Sequence, residues 1–278
     1  MRRITALIIV SLLCLPLAAV AQTDEALDPE FGGRIALGVD KKIVKGLHVS
    51  LEEELRMDDN FGSLNRLQTT VGLSYKIIKD LKVGIGYAMI NPYSDSTFGN
   101  MRHRLMVDAS YTLRFGDWRL TLKERFQLTH RTGDFNEYQN PANLMALKSR
   151  LTLKYKGLTD VTPYGYIELR NTLNAPVISA TYNEATDTWG YYSGTTFTQT
   201  GEAGWFLTGF NGVYVNRLRG SLGVDWDLSR QHKLNFFILM DYVSDKEVDA
   251  NAKGTKLKSY TRERGFKGHV GASYEFQF

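Results

Sequence analysis

Hydrophobic and polar residues alternate along most of the chain. In residues 67–77 the odd positions are mainly apolar and the even positions are polar or Gly, and residues 105–115 repeat the pattern. Successive side chains of a β-strand point to opposite faces, so a period of two predicts β-strands with one apolar face. The pattern gives eleven candidate strands: 31–39, 47–56, 65–77, 81–90, 102–115, 118–131, 145–156, 163–173, 213–228, 233–247 and 259–278.

Two architectures are compatible with this alternation. In a soluble β-sandwich the polar face is solvated, whereas in a transmembrane barrel the apolar face contacts lipid and the polar face lines the interior. Most candidate strands have about 10–15 residues, longer than the five or six that are usual in soluble sheets. Tilted strands of about 9–11 residues are needed to cross a bilayer. Strand length therefore favours the barrel.

The connections between the candidate strands also favour a barrel. Short turns are predicted at Lys79-Asp80, Gly116-Asp117, 157–162 and 229–232. Longer polar connections are predicted at 57–63, 91–100, 133–143, 174–211 and 249–258. Aromatic residues cluster beside the short turns, as in an interfacial girdle: Tyr75, Phe115, Trp118, Tyr155, Tyr164 and Trp226. We predict an all-β fold, a transmembrane antiparallel up-and-down β-barrel. Bacterial barrels have even strand numbers, so about twelve strands are expected, with ten as the alternative.

The two ends of the sequence predict where in the cell the protein is located. Residues 1–21 combine Arg2 and Arg3, an apolar stretch and a closing Ala19-Val20-Ala21, which is typical of a cleaved signal peptide. The barrel would then occupy residues 22–278, with 174–211 as a long extracellular loop. Tyr274, Phe276 and Phe278 alternate at the end of the sequence and resemble the assembly signal of outer-membrane barrels. We expect an outer-membrane protein of a Gram-negative bacterium, with outer-membrane lipid and the assembly machinery as partners.

Three segments resemble a known family. LHVSLEEELR (47–56), RLQTTVGLSYKI (66–77) and KDLKVGIGYAMI (79–90) are similar to an uncharacterised family of bacterial outer-membrane barrels, catalogued only as a domain of unknown function. The similarity extends over residues 31–130 and is looser towards the C-terminus. It implies a fold and a compartment, and it provides no catalytic residues.

Charge and composition narrow the functional classes. With 43% hydrophobic and 23% charged residues and one Cys, the chain is neither disordered nor a disulfide-rich protein. The net charge is +4 and no basic run stands out, so no nucleic-acid partner is predicted. In the barrel, the charged face lines the lumen. The predicted lumen-lining residues are Arg102, Arg104, Asp108, Arg114, Lys123, Arg125, Lys148, Arg150, Lys154, Arg217, Arg219 and Asp225, with Glu52, Glu54 and Asp241 as further acids.

The sequence offers one catalytic candidate. His48 and Ser50 share a strand face, where His could activate Ser. Their apolar neighbours occupy the strand face that is predicted to contact lipid, so His48 and Ser50 are expected to be polar lumen residues. Glu53 and Glu124 fall on apolar faces, where a charge is costly. The five His are scattered and no His/Cys cluster exists. We therefore predict no catalytic residues, no metal and no cofactor, and an enzyme is the less favoured class.

The functional expectation is correspondingly broad. The chain is interpreted as a porin-like integral outer-membrane barrel, either structural or a narrow passive channel with a weak preference for anions. Two alternatives stay open. One is a barrel enzyme acting on lipid or envelope glycan. The other is a surface receptor or adhesin that binds a small solute or surface ligand through the aromatic residues of loop 174–211: Tyr182, Trp189, Tyr191, Tyr192, Phe197, Trp205 and Phe206.

The proposed assembly signal can be tested by substitution. Changing Phe276 and Phe278 to Ser should impair insertion into the outer membrane, because the apolar aromatic face would be lost. Gln277→Ala is the matched control and should insert normally, since residue 277 is expected to face the lumen. Fractionation and a heat-shift gel measure insertion, and equal insertion of both variants would refute the assigned strand register.

Overall fold

The computed structural model describes residues 23–94, 96–178, 181–193, 196–199, 207–253 and 257–278. The predicted signal peptide, residues 1–21, lies outside them. The described residues form β-strands, and no helix among them is long and apolar enough to span a membrane. The strands are β1 Thr23–Ala26, β2 Glu30–Val44, β3 Leu47–Asp58, β4 Ser63–Lys76, β5 Leu81–Ser94, β6 Thr97–Phe98, β7 Arg102–Phe115, β8 Trp118–Arg131, β9 Asn143–Tyr155, β10 Val161–Ile178, β11 Thr181–Asn183, β12 Thr188–Ser193, β13 Thr196–Gln199, β14 Leu207–Asp227, β15 His232–Ala250 and β16 Leu257–Gln277.

Eleven of these strands close into a barrel. Their order around the ring is β2, β3, β4, β5, β7, β8, β9, β10, β14, β15 and β16, and β16 pairs with β2 to close it. This closing pair is parallel, with Lys267–Gln277 of β16 beside Glu30–Asp40 of β2. The short strand β1 adds a further parallel pairing, to Thr261–Arg264 of β16. The expectation of an even number rested on antiparallel closure. A parallel seam allows the eleven strands that the alternation gives.

The other ring neighbours are antiparallel and joined in sequence order. Short turns lie at one end of the barrel, and Gly46 (φ 87°) and Gly116 (φ 57°) occupy the left-handed conformation in two of them. Left-handed backbone favours Gly because it has no Cβ. The longer connections, such as 132–142 between β8 and β9, lie at the opposite end. The alternation of short and long connections is therefore a property of the fold.

The barrel is inverted relative to a soluble protein, because its outer surface is apolar. Leu222 is 64% exposed, Leu37 61% and Ile167 60%, although all three are large apolar side chains. Charged side chains such as Arg219 and Asp241 are 6% and 1% exposed. A soluble sandwich would bury the apolar face instead. The predicted fold class, an all-β up-and-down barrel, is thus confirmed.

The barrel wall is higher on one side. Strands β10, β14, β15 and β16 have 18–21 residues, whereas β2 to β9 have 12–15 apart from the two-residue β6. Segment 174–211, predicted as a loop, begins within β10 and ends within β14. Between them, β11, β12 and β13 form a separate three-stranded sheet.

The long connection between β8 and β9 contacts this higher wall. The Asn136 side chain donates to the Ala250 carbonyl (2.9 Å), and that of Gln139 donates to the Asp249 carboxylate (2.7 Å). Tyr138 packs against an apolar cluster that includes Val248 and Tyr260. Since β10 and β14 separate β9 from β15 in the ring, this connection links two parts of the rim that are not adjacent.

Adjacent positions of β9 test the inside-out arrangement. Leu151 is 39% exposed on the outer face, whereas Thr152 lines an interior cavity. Leu151→Arg should impair folding into lipid vesicles, because Arg on the lipid face costs about 2–4 kcal/mol near the midplane. Thr152→Arg, the matched control, should fold normally. The folded fraction is read from the heat-shifted gel band, and equal loss in both variants would contradict the arrangement.

Candidate functional site: the charged lumen

The candidate site is the inner face of the barrel, where strand register aligns charged side chains in rows. One row crosses seven strands from β8 to β2 and alternates in sign over most of its length. We call it the alternating row: Lys123, Arg150, Glu168, Arg219, Asp241, Lys267 and Glu30. Directly opposed side chains on neighbouring strands lie about 5 Å apart, so opposite charges along this row pair with one another.

The strongest interaction in the alternating row joins β14 to β15. Arg219 donates from Nε to Oδ1 of Asp241 (2.6 Å) and from Nη2 to Oδ2 (2.8 Å). Both side chains are buried. A bidentate guanidinium–carboxylate pair is among the strongest side-chain interactions. Asp241 also lies 3.5 Å from Arg217 and 4.0 Å from Arg34, so a single carboxylate holds three arginines.

Glu168 on β10 is the second shared acid. Arg150 donates to it from Nε (2.8 Å) and Nη2 (2.6 Å), and Lys148 and Arg219 approach it at 3.8 and 3.6 Å. Asp108 on β7 similarly receives Arg125 (2.7 Å) and Lys123 (3.4 Å). Asp241, Glu168 and Asp108 therefore each serve two or three cations.

Two further rows contain only cations. The cation row consists of Arg125, Lys148, Arg170 and Arg217, directly opposite one another on β8, β9, β10 and β14. The arginine row consists of Arg34, Arg56 and Arg66 on β2, β3 and β4. Like charges that face each other across strands are destabilising. This repulsion is partly relieved. Arg56 donates to Glu54 (2.5 Å), Lys148 and Arg217 approach Glu168 and Asp241 of the alternating row, and Arg125 pairs with Asp108 directly opposite it on β7.

The other predicted lumen residues are not members of these rows. Arg104 donates to the Thr129 hydroxyl (2.9 Å), and Arg102 stands opposite Arg131 on β8. At the short-turn end, Arg114 pairs with Asp80 (2.7 Å) and Lys154 with Asp225 (2.6 Å). The site therefore has a charged middle and separate ion pairs towards the turns.

Sequence reasoning missed several members of the rows: Arg34, Arg56, Arg66, Glu168 and Arg170. Arg34 follows the alternation of β2 and could have been found from it. Glu168 and Arg170 are harder to find, because tyrosines at 164 and 166 share their inward face and the β10–β14 register shifts after Arg170. Both effects blur the period of two.

Three cavities adjoin along the lumen, with volumes of about 310, 410 and 620 Å³. Glu52 lines all three. The 310 Å³ cavity lies among the charged rows, and the other two reach towards the short-turn end. In the 620 Å³ cavity Tyr164 and Tyr166 are stacked with ring centroids 6.5 Å apart, and Arg150 lies 4.1 Å from the Tyr166 ring centroid.

The His48–Ser50 candidate is not assembled as a catalytic pair. The Nδ1 atom of His48 lies 2.7 Å from the Asp40 carboxylate, and no hydrogen bond joins His48 to Ser50 within the described ranges. The described residues also contain no group of three or more His, Cys, Asp or Glu placed to hold a metal. The outward-facing Glu124 accepts a hydrogen bond from Ser149 (2.6 Å), which lessens the cost of its position.

The predicted assembly residues lie on the outer face of β16. The Tyr274 hydroxyl lies 2.6 Å from Nδ1 of His232, and Phe276 packs edge-on against Phe278, with centroids 4.5 Å apart.

Among the aromatic residues of segment 174–211, Trp205 and Phe206 lie outside the described residues. Side chains are likewise not described for Tyr182, Trp189, Tyr191, Tyr192 and Phe197.

A closed β-barrel with an apolar exterior and a charged lumen defines the class of this protein. A family model described as "Protein of unknown function (DUF2490)" matches residues 35–252, and the chain belongs to that family. No curated protein matches it.

The solved structures that are similar to the chain include two porins. An anion-selective porin from Comamonas acidovorans has 11% identity and a TM-score of 0.33, and the match covers 84% of this chain. The chain spans about half (54%) of that porin. The NanC porin has 14% identity and a TM-score of 0.42, with 90% of this chain and 98% of that chain covered.

The shared carboxylate of Asp241 should carry much of the stability of the lumen. Asp241→Asn leaves three arginines without their common acid, and breaking a buried pair costs about 3–5 kcal/mol. Asp227→Asn is the control, because Asp227 pairs with Lys233 at 3.9 Å near the surface, where a pair contributes about 1 kcal/mol or less. Urea unfolding in lipid vesicles measures both, and equal free energies of unfolding would contradict the assigned role.

Proposed function

We propose that this protein is an integral outer-membrane barrel that acts as a narrow passive channel with a weak preference for anions. The observation that carries this proposal is the lumen itself. Its cations outnumber its acids, and they share Asp241, Glu168 and Asp108 among them. Charged linings set ion selectivity in pores, and an excess of cations favours anions.

The outer membrane is the compartment that suits this barrel. Closure of the ring leaves no long unpaired strand edge in the apolar zone, which spanning a membrane requires. Outer-membrane barrels turn their short turns to the periplasm. The predicted signal peptide and aromatic final strand agree with this location, and lipid and the assembly machinery are the partners proposed.

The number of strands and the pairing of lumen side chains make the channel narrow. Eight strands give an interior that side chains can fill, and 16–18 strands give open porins, so eleven strands lie between them. Long side chains of strands that are not adjacent also meet inside the lumen, as Arg34 of β2 and Asp241 of β15 do at 4.0 Å. Such pairs reduce the open cross-section to small cavities.

The alternatives have less support. An enzyme would need an activated nucleophile, and His48 is engaged by Asp40 without a bond to Ser50 in the described chain. A receptor role would rest on aromatic side chains of segment 174–211, and these lie outside the part of the chain that the structure describes. A purely structural barrel differs from the proposal only in lacking conductance, which can be measured.

Conductance in a planar bilayer under a salt gradient tests the proposal. We expect small steps with a reversal potential on the anion-preferring side. Arg104→Gln should lower this preference, because Arg104 has no ion-pairing carboxylate in the described structure and its charge is free to act on ions. Arg119→Gln is the control, since Arg119 bonds to the Gly116 and Trp118 carbonyls at a turn. Large, cation-selective steps or no steps at all would contradict the proposal.

A further inference from the structure

The positive charge of the lumen is concentrated at one cavity. The 310 Å³ cavity is lined by seven cationic and two acidic side chains. The 620 Å³ cavity has four of each, and the 410 Å³ cavity has three cationic and four acidic side chains. A lumen that only repelled cations would not need its cationic side chains concentrated at one cavity. The excess of cationic side chains is therefore local to the 310 Å³ cavity and is not spread evenly along the lumen.

Strand register explains why the cationic side chains around the 310 Å³ cavity repel one another. Arg34 and Arg56 of the arginine row, and Arg125 and Lys148 of the cation row, all line the cavity. The two rows thus converge on it from different walls. Within each row the cations face each other directly across neighbouring strands, an arrangement that is unfavourable without an anion between them.

Arg104 brings the two rows together. It lines the same cavity from β7, and the charges that act on it most strongly are repulsive: Arg170, Arg56, Arg102 and Arg125. Its only hydrogen bond to a side chain in the described structure goes to the neutral Thr129 hydroxyl. A guanidinium carries five N–H donors, so most of those on Arg104 are available to a ligand.

Several guanidinium groups of the rows also lack acceptors. The Nε atoms of Arg34, Arg66 and Arg217 are buried and have no hydrogen-bond partner within the described residues. Arg34 is 7% exposed, so the deficit lies deep inside the barrel. Buried donors without acceptors cost about 1–3 kcal/mol each, and more when charged. Of these three arginines, Arg34 lines the cavity, and an oxyanion there would provide an acceptor for its Nε atom as well as negative charge.

We propose that this cavity is a binding site for a small organic solute that carries at least two oxyanion groups, carboxylate or phosphate. The inference rests on the proposed passage of anions through the same lumen and names their chemical class. Arginine suits these groups because its planar donors match carboxylate and phosphate oxygens. Two charges are needed because the rows present cations from two walls. Neutral donors and acceptors on Gln68 and Asn235 also line the cavity and suit the uncharged part of the solute.

Calorimetric titration of the full-length mature protein in detergent tests the site without requiring conductance. Citrate and pyrophosphate are the two probes, one for each oxyanion chemistry, and glucose is the neutral control. We expect one of the anions to bind with one site per barrel and the other more weakly, which identifies the preferred group. Absence of saturable binding for both anions would overturn the proposal.

Variants locate the binding. Arg104→Gln should weaken binding at least about tenfold, since a hydrogen bond to a charged group contributes about 1.5–3 kcal/mol. Lys148→Gln on β9, two strands from Arg104 in the ring, is a second variant and should act in the same direction. Arg119→Gln is the control and should bind like the wild type. A normal heat-shifted band shows that each variant is folded, and undiminished affinity in both folded lumen variants would overturn the site.

The two proposals fail in different ways. Binding of citrate or pyrophosphate without conductance would remove the channel and leave an internal anion site. Anion-preferring conductance without saturable binding would keep the channel and overturn the site.

Discussion

Backbone closure between β16 and β2 is the constraint on which the other features depend. In hydrocarbon, each backbone N–H and C=O needs a partner, so a membrane barrel cannot leave an open edge. Here Lys267–Gln277 and Glu30–Asp40 pair in parallel, which allows an odd number of strands. Closure also determines which side chains meet. It brings the side chain of Arg34 on β2 within reach of Asp241 on β15, so that Asp241 holds arginines from both sides of the β16–β2 seam.

The closed ring turns the alternation of the sequence into two different environments. The outer face needs only apolar surface, and residues such as Leu222 and Ile167 provide it. The inner face must accommodate many charges in a confined space. It does so by sharing the central carboxylates among two or three cations, as Glu168 does. The same sharing narrows the lumen and leaves the positive excess that the channel and the oxyanion site both require.

Much of the fold could be predicted from the sequence, and less of the site. Alternation over residues 67–77 or 105–115 shows the strands directly, because side-chain direction is a local property. The parallel seam is a contact between distant segments, which no local pattern encodes. The rows of charge have the same origin. Arg170 faces Arg217 only because of the β10–β14 register, which shifts directly after this pair because β14 contains the extra residue Asn216. The side chains on the inner face were therefore predictable, but their partners were not.

Cysteine accessibility in lipid vesicles tests the inside-out barrel most directly. Cys14 is the sole native cysteine and lies in the predicted signal peptide, so single cysteines can be introduced into an otherwise thiol-free mature protein. Two adjacent pairs suffice: Thr70→Cys and Val71→Cys on β4, and Thr152→Cys and Leu151→Cys on β9. Thr70 and Thr152 line lumen cavities, whereas Val71 and Leu151 are exposed on the outer face. The account predicts that a small water-soluble thiol reagent modifies the two lumen positions and spares the two outer ones. Equal modification within each pair, or faster reaction at Val71 and Leu151, would contradict it.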